Sequence, residues 1–71
     1  MDEIGITTTT IQLDQFLKWA GIVESGGQVK LFIEDGLVFV NDVQISERRK
    51  KLQPGDIVEI KEIGIWKVTA E

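Results

Sequence analysis

The sequence predicts an α+β domain. Two segments place apolar side chains three and four residues apart, as a helix does, and short runs rich in valine and isoleucine between them read as strands. The 71 residues allow one domain, 1–71, near the size at which a single core is only marginally stable without disulfides or a metal.

The clearest signals lie in residues 24–41, Glu-Ser-Gly-Gly-Gln-Val-Lys-Leu-Phe-Ile-Glu-Asp-Gly-Leu-Val-Phe-Val-Asn. Ser25 is suited to accept a hydrogen bond from a free N–H at the start of a helix, and Val29, Phe32 and Ile33 then share one helical face. Gly36 closes that helix, because a left-handed residue without a Cβ is a common stop. The period then changes to two in Leu37, Val38, Phe39 and Val40. A helix running straight into a strand buries too little by itself, so the flanking segments must pack against it.

Ahead of this unit, Ile4 and Ile6 alternate and a threonine run follows, so residues 4–9 read as a short edge strand. Thr10 is the expected cap of a first helix, in which Leu13, Phe16, Leu17 and Ala20 form the apolar stripe and Gly21 is the stop. Its outward face carries Gln12, Asp14, Gln15 and Lys18. Trp19 stands beside them, either as filler at the edge of the core or as a platform on which a nucleotide stacks. Gly26 and Gly27 fall in the first turn of the second helix, where missing side chains admit either a closely packed backbone or an anion near bare N–H groups. Gln28 and Lys30 point away from the Val29 stripe and are free to reach a ligand.

Beyond the strand, Asn41 and Asp42 tolerate the positive φ of a two-residue hairpin turn, and the chain returns through Val43, Gln44 and Ile45. Leu52 dips back to the core. Gln53-Pro54-Gly55-Asp56 is a turn with proline in its favoured second position, and residues 57–60 are the next strand. In residues 63–68, Ile63 and Ile65 alternate with Trp66 on the opposite face, Gly64 weakens the pattern, and pairing with the first strand would close the sheet.

Composition narrows the chemistry. The chain has no cysteine and no histidine, which removes thiolate nucleophiles, sulfur-ligated zinc and the commonest general base. Recognition is what remains, with no cofactor and no metal expected. The amino terminus is acidic where a secretory signal is basic, and no apolar run reaches the ~18 residues of a membrane span, so a cytoplasmic protein without membrane contact is expected. The net charge is −4, from 8 basic and 12 acidic residues, yet Arg48, Arg49, Lys50 and Lys51 are contiguous. With a Debye length of ~8 Å at physiological salt, local potential decides whether a phosphate backbone is attracted.

Taken together, Leu13-Asp14-x-x-Leu17, Gly21, Ser25, Gln28, Lys30, Ile33-x-x-Gly36-x-Val38-x-Val40-Asn41 and Leu52-x-x-Gly55-Asp56-Ile57 resemble a known module. It is the RNA-binding domain named after small-subunit ribosomal protein S-four, and within it the small stand-alone bacterial proteins of the YaaA- and YbcJ-like group. The resemblance covers residues 10–60. It implies two short helices packed on a small bent antiparallel sheet (the alpha-L RNA-binding motif), and binding of structured, often ribosomal, RNA through the helix that begins at the serine. The matching positions are Ser25, Gln28, Lys30 and Asn41. Two departures stand out: many members carry arginine directly after the serine, where this chain has Gly26, and the usual Asn-Gly turn is Asn41-Asp42. The four basic residues at 48–51 are the expected compensation.

The leading reading is a non-catalytic protein in which Lys30 and the loop of Arg48, Arg49, Lys50 and Lys51 straddle a groove and neutralise RNA phosphates. Ser25, Gln28 and the amides of Gly26 and Gly27 add hydrogen bonds, and Lys18 extends the patch. A ribosomal subunit or an assembly intermediate is the expected partner, and a monomer the expected state. An alternative is a protein-interaction module whose acidic residues Asp2, Glu3, Glu34 and Asp35 dock on a ribosomal or other protein. Residues 52–60 also look like the end of ubiquitin-like sulfur carriers, but these need a terminal Gly-Gly and this sequence ends Val-Thr-Ala-Glu. For an enzyme, no pair of carboxylates can be assigned, and the basic run by itself also fits a solvated loop.

Overall fold

The structure, a computed structural model, describes residues 1–71. In chain order it has β1 (Asp2–Ile6), β2 (Ile11–Gln12), α1 (Leu13–Trp19), α2 (Gly26–Glu34), β3 (Val38–Val40), β4 (Val43–Gln44), β5 (Lys51–Leu52), β6 (Ile57–Ile60) and β7 (Gly64–Ala70). Five strands form one sheet in the order β1-β7-β6-β3-β4, and β2 and β5 form a separate two-stranded ribbon. The α+β class and the two helices are as the sequence predicts.

The first and last strands do pair, but in parallel, with Ile4 opposite Val68, while the other pairings are antiparallel. The sheet is therefore mixed at one edge. β1 also ends at Ile6, and residues 7–9 form a bend, because the strand has no partner beyond the end of β7.

Alternation along the strands sets the core. Val38 and Val40 of β3, Val58 and Ile60 of β6, and Trp66 and Val68 of β7 are buried. Leu13, Phe16 and Leu17 of α1 and Val29 of α2 meet them from the helical side, with Phe32 and Ile33 packed around the margin. In β7 the face carrying Trp66 turns inward, leaving Ile65 exposed, and Ile63 is exposed in the turn before the strand. Gly64 makes room for the indole, since a Cβ there would lie 2.9 Å from Trp66 Cζ2.

Both helices stop by the same device. In α2, Gly36 N–H donates to Ile33 O and Leu37 N–H to Phe32 O, the paired bonds of a Schellman motif, with Gly36 at φ 72°. In α1, Gly21 N–H donates to Lys18 O and Ile22 N–H to Leu17 O, with Gly21 at φ 75°. Asn41 at φ 51° and Asp42 at φ 67° make the two-residue hairpin turn between β3 and β4. No helix is long and apolar enough to cross a membrane.

Gly36→Ala should lower stability by about 1–2 kcal/mol, the cost of a Cβ in the left-handed region. A Cβ there would also meet Gln44 Nε2 at 2.9 Å. Urea unfolding of the variant against the parent measures the difference.

Candidate nucleic-acid interface

The basic loop is held by its backbone. Ile45 and Leu52, both buried, anchor its two ends in the core, and Lys50 N–H donates to Glu47 O to turn the chain between them. Its carbonyls then reach α1: Leu13 N–H donates to Lys50 O at 2.8 Å and Asp14 N–H to Arg48 O at 3.0 Å. These are first-turn N–H groups with no partner inside their own helix. Thr10 therefore does not cap α1. The residue at the cap position is Gln12, whose side chain makes no capping bond, and the Thr8 hydroxyl instead donates to Thr10 O. Asp14, expected on the outward face, is 7% exposed because the loop lies over it, and its Oδ1 accepts from Gln15 N–H.

The same bonds aim the cationic side chains. Arg48 turns towards α2 and lines a groove of about 380 Å³ with Lys30, Ile33, Glu34 and Ser46. Its Nη1 lies 3.5 Å from the point where a Cβ on residue 26 would stand, and Asp14 Oδ2 lies 3.9 Å from the same point. The guanidinium thus occupies the space over Gly26 into which a longer side chain at 26 would project. Neither Arg48 nor Lys30 has a carboxylate within 4.0 Å, since the salt bridge present joins Lys61 to Glu59. At the start of α2 no loop carbonyl or side chain accepts the N–H of Gly26 or Gly27, in contrast to α1. Two unpaired cations and the positive end of a helix dipole therefore converge on one side of the loop.

Lys50 and Lys51 face the other side. They line a second groove, of about 440 Å³, with Asn41, Asp56 and Thr10 among the walls. Lys51 is exposed opposite Gln12 in the β2–β5 ribbon, while Leu52 beside it is fully buried. Arg49 stands exposed at the turn and Lys18 in the last turn of α1, and neither lines either groove. The structure thus brings Lys30 together with Arg48, and Asn41 with Lys50 and Lys51, with the loop as the ridge between them.

The family model described as the S4 domain matches residues 4–68. The chain belongs to the S4 domain family. It is also similar to a Bacillus subtilis (strain 168) protein named "Probable ribosome maturation protein RlbA", with 45% identity over 65 residues that make up 92% of each chain.

Within this S4 domain, several polar residues singled out in the sequence have partners inside the fold. Ser25 is the residue before α2, with extended backbone at φ −148°, but its hydroxyl makes no capping bond. Gln28 turns back to the segment before the helix, its Oε1 accepting from Glu24 N–H, and leaves the first-turn amides open. Asn41 is the most engaged. Its Nδ2 donates to Asp56 Oδ1, its Oδ1 accepts from Ile57 N–H, and its own N–H donates to Ile57 O. Asp56 in turn accepts from Gln53 N–H, so the β3–β4 hairpin, the proline turn and the start of β6 are tied through one side chain.

Two groove residues, Ser46 and Glu34, escape a reading based on positive charge. Glu34 was accessible in principle, since it lies four residues after Lys30 on the same helical face.

Asn41→Ala should destabilise the fold by about 1–3 kcal/mol, from the two lost side-chain bonds and a left-handed residue without a compensating side chain. A fall in the midpoint of urea unfolding would show it, and a midpoint unchanged from the parent would remove the structural role.

Proposed function

We propose that this S4 domain binds structured RNA without turnover, ribosomal RNA or a ribosomal assembly intermediate being the partner. The observation that carries the reading is the placement of Arg48 and Lys30, both free of carboxylate partners, in one groove beside the open first turn of α2. A phosphate there would meet a guanidinium able to give two parallel N–H bonds, an ammonium, and the Gly26 and Gly27 amides. Arg48, reaching over Gly26, supplies from the loop the cation that many family members carry directly after the serine. Lys50 and Lys51 would hold a second stretch of backbone on the far side of the loop, with Arg49 between. The name of the Bacillus subtilis relative supports a ribosomal partner.

Such contacts position RNA by shape and backbone rather than by sequence. Glu34 in one groove and Asp56 in the other set limits on where a phosphate can sit, because a like charge at short range opposes it.

Binding to ribosomal RNA and to ribosomal subunits across a salt series tests the proposal. With about five phosphates neutralised, affinity for bare RNA should fall roughly 10²- to 10³-fold between 50 and 200 mM salt. Lys30→Ala and Arg48→Ala should each reduce the salt slope by about 1, and alanine at all four of Arg48, Arg49, Lys50 and Lys51 should abolish binding at physiological salt. Binding to subunits that survives the quadruple variant but is lost on charge reversal of Asp2, Glu3, Glu34 and Asp35 would overturn RNA binding in favour of a protein partner.

A further inference from the structure

Trp19 is the large aromatic side chain that the fold leaves open, at 58% exposed. It is nevertheless fixed. Its indole Nε1 donates to Gly5 O at 2.8 Å, which fastens the ring along the free edge of β1. Around it lies a shallow depression of about 370 Å³, walled by Thr7, Thr10, Ile11, Gln12 and Gln15, with no charged side chain in the lining. Gln15 and Trp19 stand four residues apart on one face of α1, and Gln12, in β2 just ahead of the helix, lines the same depression. In a chain of net charge −4, this neutral surface carries hydroxyl and amide groups beside an immobilised aromatic face.

We infer that this depression holds an unpaired RNA base, stacked on Trp19 and met at its edge by the amides of Gln12 and Gln15. The ordering cost of a mobile ring is already met by the bond to Gly5. Stacking accepts any base, while threonine and glutamine groups offer both donors and acceptors to its edge. Position supplies the second argument. Thr10 lines both this depression and the groove of Lys50 and Lys51, so the two surfaces adjoin at that residue. A strand whose phosphates lie on the two lysines can therefore turn a neighbouring base onto Trp19. The inference rests on the RNA-binding reading and adds to it a preference for RNA with an unpaired nucleotide beside the bound backbone.

Two RNA probes separate the possibilities: a short single strand without self-complementarity and a blunt-ended duplex of two separate strands carrying the same total number of phosphates. Trp19→Ala and Trp19→Leu should each weaken single-strand binding roughly 5- to 150-fold and leave the salt slope unchanged. Binding of the duplex should stay within about twofold. Trp19→Phe, which keeps an aromatic face but loses the N–H, should retain most of the affinity. In the wild type, single-strand binding should quench the exposed indole more than duplex binding does, against a constant background from buried Trp66.

Equal affinity of wild type and Trp19→Leu for the single strand would overturn the stacking site, as would equal losses on both probes or an unquenched indole at saturation. Should those results come while Lys30→Ala and Arg48→Ala still weaken RNA binding, the stacking site alone fails. If the wild type binds neither probe and also fails to bind ribosomal RNA at 50 mM salt, RNA binding fails with it.

Discussion

Two backbone hydrogen bonds join the fold to its candidate site: Leu13 N–H to Lys50 O and Asp14 N–H to Arg48 O. α1 has seven residues, too few to persist alone in water. Its first-turn amides find acceptors in a loop that itself has no regular structure, and the loop finds in those amides the donors that fix its path. Burial of Leu52 at one end and Ile45 at the other keeps the two in register. Because carbonyls do the holding, the cationic side chains are not needed for it. They extend from the ridge without carboxylate partners, an arrangement in which recognition does not compete with folding for the same groups.

What the sequence revealed follows from range. Helix stops at Gly21 and Gly36, the Asn41-Asp42 turn and the apolar stripes of both helices depend on neighbours within a few residues, and all are found where local chemistry puts them. The start of α1 is not legible locally, and Thr10 is not its cap, because its acceptors are some three dozen residues away in sequence, where no local pattern points. Asp14 sits at a helical position that points to solvent, and it is buried only because the loop that covers it is distant in the chain. The position of Ser25 was legible but its bonding was not: Gln28, three residues on, bonds the neighbouring amide instead. Pairing between the first and last strands was inferred from their apolar alternation, but alternation is the same for either direction and did not reveal that they run parallel.

The candidate site was legible as a list and not as a geometry. Contiguous residues on an extended, turning loop point in different directions, so the basic run sends Arg48 to one groove, Lys50 and Lys51 to the other and Arg49 to neither, instead of forming one patch. Asn41, which the family resemblance placed at the site, holds three segments of the fold together. The net charge of the chain says little about either groove, because two cations line each of them and screening makes the potential local.

The parallel edge pair bears on how the chain comes to be folded. β1 lies at the edge of the sheet, and its one neighbour is β7. During synthesis the amino-terminal strand emerges first and has nothing to pair with until residues 64–70 have been made, while Trp19 cannot dock on Gly5 until that strand is in place. The second helix and the hairpin that follows it can assemble from sequence neighbours, α1 needs the loop at residues 48–50, and closure of the sheet waits for the last strand. Early emergence therefore gives the amino terminus no head start: it is among the last parts of the domain to become ordered.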